Sequence, residues 1–249
     1  SSKKTEEVWR YKHVDNPFGK SLVLVAEEDF KIIGVRAFMR WQWQQGEQIY
    51  SALRAVDTAT HPDHQGKGIF KKLTLKALEI GKQHGDDFVF NTPNNQSMPG
   101  YLKMGWKEVG KLKIHLVPVN PMHWKKKPII SENSVNTNEI DNASLLNIWN
   151  AKLKSSGKLY TPKKINYLNW RYVNNPLQQY KVLASNDLFI AGYVKKQSRF
   201  RELRISELVY SPGFSIKSIK KTIRIWAKEA GLHYISLKIP VDSNFFIEK

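Results

Sequence analysis

The sequence predicts an α/β fold built from two copies of one domain. Three observations carry that reading. Residues 52–80 run as an apolar strand, a glycine-rich loop and an amphipathic helix. Strands joined by a short polar tip stand ahead of that unit. Residues of the first half recur, in order, in the second half.

Residues 6–11 read as the end of a helix, which Asn16-Pro17-Phe18-Gly19 stops and turns. Residues 21–26, with Leu-Val-Leu-Val inside, form a buried strand, 27–29 a hairpin tip, and 31–40 the returning strand. Residues 41–48 make an extended hairpin end and 50–60 a third strand. Phe70, Leu73, Ala77 and Ile80 recur at helical spacing, so a main helix runs over 70–84 and stops near Gly85. Residues 87–92 follow as a strand. Residues 97–104 follow as a short helix, with Pro99 in the first turn, where no N–H bond is needed. Residues 106–119 carry one or two closing strands. The stretch 118–142, rich in Pro, Lys, Ser and Asn, reads as a linker. Asn142 caps a helix through about Lys154, and Thr161-Pro162 opens another through Tyr172, with proline at its first helical position.

The repeat is specific. Trp9-Arg10-Tyr11 and Asn16-Pro17 recur as Trp170-Arg171-Tyr172 and Asn175-Pro176. The strand–hairpin–strand 26–34 recurs as 184–192, pairing Gly34 with Gly192. Leu53, Arg54, Asp57 and Pro62 recur as Leu203, Arg204, Glu207 and Pro212 at a constant offset of 150 residues, and Gly85 matches Gly231. The expected division is one domain over 1–118, a linker over 119–142 and a second domain over 143–249. The second copy keeps Pro212-Gly213 but lacks the paired glycines, so it reads as degenerate. It also stops before a final helix and strands, while the first begins with only a helical stub. The chain is therefore expected to be a fragment or to be incompletely ordered at both ends.

The glycine loop is the point of chemistry. In Gln65-Gly66-Lys67-Gly68 the glycines let the backbone turn sharply and approach a ligand closely. The helix that follows offers free N–H groups and a positive dipole end, which together cradle phosphate. The spacing is neither the G-x-G-x-x-G dinucleotide fingerprint nor a P-loop, since no Gly-Lys-Ser/Thr follows. It resembles motif A of the GNAT superfamily of acyl-CoA N-acyltransferases, Arg/Gln-x-x-Gly-x-Gly/Ala, with Gln65 and Gly68 in place and Phe70 departing from the final Gly/Ala. Downstream, Asn94, Ser97, Tyr101, Gly105 and Trp106 resemble motif B of the same superfamily, in the right order and at the right separation.

The resemblance implies a mixed, mostly antiparallel central sheet flanked by helices, here twice in tandem, and acetyl-CoA as acyl donor. It implies that Thr58, Ala59 and Thr60 offer a strand edge to the pantetheine arm. The backbone of Gln65, Gly66, Lys67, Gly68, Ile69 and Phe70 then holds the pyrophosphate, with Lys71 and Lys72 adding charge. Tyr101 is the expected general acid for the leaving thiolate. Its alternative is a ring packed in the core. Asn94 either binds donor amides or caps the short helix, or both.

A general base is harder to place. Some GNAT members carry glutamate at the position of Ala52, which cannot serve. Asp57 lies on the same strand and is the candidate, unless it faces the core or pairs with Arg54. His61 and His64 titrate near neutrality beside the loop but read as exposed bystanders. Trp41, Trp43 and Tyr50 are candidates to line an acceptor pocket, since flat aromatics stack on sugar faces. An interface is the competing use. The basic hairpin of Lys195, Lys196, Arg199, Arg201 and Arg204 either clamps a phosphate on the acceptor or is simply solvated.

Composition narrows the classes. With no cysteine there is no disulfide framework and no thiol nucleophile, which fits a reducing, cytoplasmic setting. No run of 18 apolar residues appears, residues 1–20 do not resemble a signal peptide, and no side-chain cluster has metal-ligand spacing. The net charge of +18 is uneven, with 22 Lys/Arg against 9 Asp/Glu in residues 121–249. That balance concentrates polyanions. The expected activity is N-acetyl transfer to a small-molecule primary amine, such as an amino sugar or its nucleotide-linked form. One alternative is an aminoacyl-tRNA-dependent peptidyl transferase-like enzyme. The other is a non-catalytic polyanion-binding module, in which Phe70 blocks the loop. Nucleic acid as a partner is the weaker fit.

Overall fold

The computed structural model describes residues 5–111, 114–124 and 142–237. The chain divides into two compact units, Ser1–Val109 with Leu153–Pro162, and Gly110–Lys152 with Lys163–Lys249.

In the first unit, helix α1 (Glu6–His13) opens on Thr5, whose side chain accepts a hydrogen bond from the Val8 amide. Strands β1 (Leu22–Glu28), β2 (Lys31–Gln45) and β3 (Gln48–Thr60) form an antiparallel meander. Helix α2 (Ile69–Gln83) then crosses over, β4 (Phe88–Phe90) pairs parallel with β3, and the short α3 (Met98–Lys103) follows. The sheet order is β1-β2-β3-β4.

Two features of β3 shape this unit. Its register against β2 steps from Phe38↔Ala55 to Arg36↔Thr58, so an extra residue bulges out around Val56 and Asp57. It also pairs with β4 over only three positions, ending at Arg54↔Phe90. Beyond that point residues 55–60 continue while the chain after Phe90 leaves the sheet, which opens a gap along the β3 edge.

One face of the sheet carries α2. Phe38, Leu53, Ala55, Ala77 and Tyr101 form its buried core, with Phe70, Val89, Met104 and Trp106 packed around them. Gly34 sits where the helix crosses closest, and a Cβ there would lie 2.7 Å from Ile69 Cγ2. Strand alternation sends Met39, Trp41, Trp43 and Arg54 to the opposite face.

The second unit repeats the order. After β5 (His115–Pro118) and α4 (Ala143–Ser155) come the single helical turn α5 (Ile165–Leu168) and a wider, π-type turn (Asn169–Val173). The hairpin β6 (Lys181–Ser185) and β7 (Leu188–Gln197) leads into β8 (Phe200–Tyr210), α6 (Ile216–Glu229) and the parallel β9 (Tyr234–Leu237). The strand order is β5-β9-β8-β7-β6. Ile190, Leu203, Ile205, Ile219, Ile223, Trp226 and Ile235 lie in its core.

Three expectations change. Residues 106–119 do not close the first sheet: the strand within them, His115–Pro118, pairs antiparallel with β9 in the second unit. The boundary therefore falls after Val109 rather than at 118, and the middle of the expected linker, 125–141, lies outside the described residues. Thr161-Pro162 does not open a helix. Tyr160 instead exchanges backbone hydrogen bonds with Gln44 at 2.8 and 2.9 Å, and Thr161 accepts one from Trp41 Nε1 at 2.8 Å, so this segment runs along β2. The third change concerns the repeat. Thr58 and Leu208, 150 residues apart, face Arg36 and Ile190. Gly34 pairs with Thr60, whereas Gly192 pairs with Ile205, so those two glycines are not equivalent.

Candidate active site

The glycine loop turns on two left-handed glycines. A short 3-10 turn, Pro62–His64, leaves β3 and delivers the chain to Gly66 and Gly68, with φ of +79° and +75°. Gly68 is the N-cap of α2 and brings no side chain to that position. The first helical bond runs from the Lys72 amide to the Gly68 carbonyl, 3.0 Å. The N–H groups of Ile69, Phe70 and Lys71 thus have no partner within the helix and meet the positive dipole end. Lys67, Lys71 and Lys72 are exposed around this terminus. Gln65 turns its side-chain amide back to the Thr60 carbonyl at 3.4 Å. Thr58 and Ala59 are exposed and Thr60 half-buried on the β3 edge where β4 has parted.

Phe70 does not obstruct this loop. Its ring turns into the core, edge-on to Tyr101 with centroids 5.7 Å apart and 5.2 Å from the Arg36 guanidinium carbon. Tyr101 is buried, 5% exposed, and also touches Trp106 at a centroid distance of 5.2 Å. It is held in the core yet keeps a polar bond there: Arg36 Nη2 donates to the Tyr101 hydroxyl at 2.7 Å. The same guanidinium donates to Thr74 Oγ1 at 3.2 Å and to the carbonyl of the bulge residue Val56 at 3.4 Å. Arg36 is fully buried, and burial pushes its pKa below the ordinary arginine value, opposed in part by the Tyr101 hydroxyl. It remains a cation at neutral pH. Sequence reasoning passed over Arg36. Its signal was phase, because it stands two residues from Phe38 on the core face of a strand.

Asp57 was the candidate base, and its carboxylate is taken up by partners from α1. The hydrogen bond from His13, followed by the Lys12 ammonium, holds its carboxyl well below the ordinary carboxylate range despite burial. His13 Nε2 lies 3.0 Å from Asp57 Oδ2, and Lys12 forms an ion pair with the same oxygen. The other ring nitrogen of His13 lies 2.9 Å from Ser21 Oγ. A carboxylate held this firmly in its ionised form is a weak proton acceptor at neutral pH. Its observed work is to tie α1 to the β3 bulge.

The remaining candidates divide. Asn94 Oδ1 accepts from the amides of Gln96 and Ser97 at 3.1 and 2.9 Å, so it caps the turn into α3. His64 lies 3.4 Å from Glu28 and His61 3.7 Å from Asp63, both as surface pairs. Trp41 is buried, packed on Phe18 with centroids 5.0 Å apart. Trp43 and Tyr50 are half-buried and pack on Phe90 and Phe88, at 5.2 and 6.2 Å. These three aromatics therefore sit together on the sheet face opposite α2. In the second unit, Arg201 Nη2 donates to the carbonyls of Trp124 and Gly231, and Arg204 pairs with Glu202. Two of the five cations of the expected phosphate clamp are thus committed internally.

Residues 2–109 match the family model of an acetyltransferase (GNAT) domain. Two solved structures resemble the chain over 90% of its length. One is a GCN5-related N-acetyltransferase from Anabaena variabilis, with a TM-score of 0.64, 14% identity and 57% of its own chain covered. The other is a GCN5-related N-acetyltransferase from Kribbella flavida, with a TM-score of 0.56, 13% identity and 54% covered. The chain thus spans a little over half the length of these two proteins, and at these identities the likeness is one of fold. No curated protein matches the chain.

Proposed function

We propose that this chain, which carries a GNAT acetyltransferase domain over residues 2–109, transfers an acyl group from an acyl-CoA thioester to an amine. The observation that carries the reading is the position of the β3–β4 gap. The strand that borders it runs on to the uncapped N-terminus of α2 with its two left-handed glycines, and its bulge is linked by Arg36 to the buried Tyr101 hydroxyl. The donor supplies an activated acyl carbon at one end and a phosphate-rich nucleotide at the other for recognition. The N–H groups at Ile69, Phe70 and Lys71 bind the pyrophosphate, and the exposed lysines add charge. The freed β3 edge at Thr58, Ala59 and Thr60 pairs with the amide-bearing arm and directs an N–H to the carbonyl oxygen.

As the amine nitrogen bonds to the acyl carbon, the carbon–sulfur bond breaks and the amine loses a proton. The Tyr101 hydroxyl gives its proton to the leaving sulfur. No base is assigned: an amine that arrives uncharged attacks directly, and the proton it sheds after attack passes to the Tyr101 phenolate, directly or through solvent. Acetyl is the proposed acyl group. The proposed acceptor is a small amine, with an amino sugar, free or nucleotide-linked, as first choice. The half-buried rings of Trp43 and Tyr50, on the other side of the sheet from α2, favour a flat sugar face.

Thiol release from acetyl-CoA in the presence of a panel of amines tests this. The unaltered protein should turn over at least one amine. Tyr101→Phe should lower kcat by roughly 10²-fold while acetyl-CoA still binds. No thiol release with any amine contradicts the proposal.

A further inference from the structure

We infer that Arg36 is a positioning residue for the acid. Its guanidinium orients the Tyr101 hydroxyl and stabilises the phenolate left behind when that proton is donated. The inference rests on the acyl-transfer reading above and goes beyond it, since neither the motifs nor the family match assigns any role to residue 36.

Four observations converge. First, Arg36 is a fully buried cation that forms no ion pair with a carboxylate among the described residues. Its partners are a threonine hydroxyl, a backbone carbonyl and the tyrosine hydroxyl, all neutral. Asp57 favours its charged form only through space, and a buried cation with no contacting anion carries a desolvation cost of roughly several kcal/mol.

Second, the bond to Tyr101 is the shortest of the three, 2.7 Å. Because arginine only donates, the phenol oxygen accepts, and the tyrosine's own proton is left to point away from the guanidinium. That is the orientation a proton donor needs. Third, the rings of Phe38, Phe70 and Tyr101 surround the guanidinium carbon at 4.5, 5.2 and 5.6 Å. Their faces attract the cation and keep water out, so charge appearing on the phenol oxygen would feel it through a weakly screening medium.

Fourth, the second unit supplies a natural comparison. The residue at the same register is Ile190, fully buried opposite Leu208. An aliphatic side chain therefore fills this place in a sheet of the same design. Arginine stands at this place in one unit and an aliphatic residue in the other.

In the proposed step the Tyr101 O–H bond breaks and an S–H bond forms on the departing thiol. The phenolate is held by Arg36 until a proton from the reacting ammonium or from solvent restores it. Arg36 itself neither gains nor loses a proton.

A double-mutant cycle tests this. Thiol release from acetyl-CoA is followed for the unaltered protein, R36M, Y101F and the double variant, with acetyl-CoA affinity measured alongside by calorimetry. If Arg36 acts through Tyr101, R36M and Y101F each lower kcat by roughly 10²-fold, affinity for acetyl-CoA stays within about threefold, and the double variant is no slower than Y101F. Thr74→Val removes one partner of Arg36 while leaving the bond to Tyr101, and should keep kcat within about threefold. If R36M does not fold, the cycle is run with R36K, which keeps the charge but cannot hold three partners with one planar fork. Its loss should likewise vanish in the Y101F background.

Losses that multiply in the double variant, or full kcat in R36M or R36K, would overturn the inference while leaving acyl transfer intact. An absence of turnover by the unaltered protein on any amine would remove the parent reading and this inference together.

Discussion

The same bulge occurs in both units, and the two versions differ in an instructive way. β3 and β8 each gain one extra residue against the preceding strand, at Val56/Asp57 and at Ser206. Each carries a carboxylate there. Asp57 is held by Lys12 and His13, and Glu207 by Lys163 with the Tyr172 hydroxyl 3.2 Å away. In both units a lysine and a residue of the segment before the hairpin clamp the acid of the third strand. Burial opposes a charged Lys163, yet Glu207 outweighs it and raises the lysine's pKa. Burial and the same carboxylate raise that of Tyr172.

A device present in both units belongs to the architecture. We propose that the features in which the first unit differs serve its chemistry: Gly66 with Gly68 in the loop, and Arg36 where the second has Ile190. The helix starts differ in the same sense. Gly68 leaves the amides of α2 open, whereas Ser215 caps α6 with its own hydroxyl, accepting from the Ser218 amide at 3.3 Å. The likeness of the chain to GNAT structures over 90% of its length extends through both units. We propose that the second is a copy of the first that has lost its donor site.

Removing the shared carboxylates sharpens the comparison most. Glu207→Gln leaves Lys163 buried without its counter-charge and should cost about 3–5 kcal/mol in unfolding experiments. Asp57→Asn, at a position 23% exposed along its side chain, should cost less, about 1–3 kcal/mol. Neither should change acetyl-CoA affinity by more than about threefold, a factor worth well under 1 kcal/mol. A large loss of turnover in Asp57→Asn with stability unchanged would restore the carboxylate to the catalytic machinery. The pH dependence follows in sign. The carboxyl of Asp57 is held below its unfolded value, so its contribution is present above about pH 4 and fades as the pH falls from there. Asp57→Asn should flatten that acid loss.

A smaller effect is expected at Phe70. Its ring packs on Tyr101 and beside Arg36 rather than over the loop. Phe70→Leu should therefore cost about 1 kcal/mol of stability and leave donor affinity nearly unchanged. Tighter donor binding by this variant, measured by calorimetry, would mean that the ring does crowd the loop.

Much of this was legible in the residues. The period-3.6 spacing of Phe70, Leu73, Ala77 and Ile80 marks α2, and its start falls one residue earlier than the spacing indicates, at Ile69. The glycine loop, the hairpins and the constant offset between β3 and β8 follow from local signals. The misses share one cause, which is pairing set by distant chain. His115–Pro118 reads as the next strand of its own domain, but β9 takes it. Thr161-Pro162 carries a helix-opening signal that extended pairing of Tyr160 with Gln44 overrides. The glycines of the two hairpins align by sequence and not by register, because β2 and β7 differ in length at the tip. Arg36 was hidden by its chemistry. A charged residue on a strand is expected to face water, and only its phase with Phe38 places it inside.

The central claim is that one unit binds the donor and the other cannot. The most direct measurement is calorimetry of acetyl-CoA binding to the unaltered protein, Gly68→Asp and Gly213→Asp. Both glycines have left-handed backbones, φ +75° and +86°, and both stand in the turn before the corresponding helix, so the substitutions impose matched strain. Binding lost in Gly68→Asp and kept in Gly213→Asp is the predicted result. Binding that survives Gly68→Asp, or disappears with Gly213→Asp in a folded protein, would contradict it.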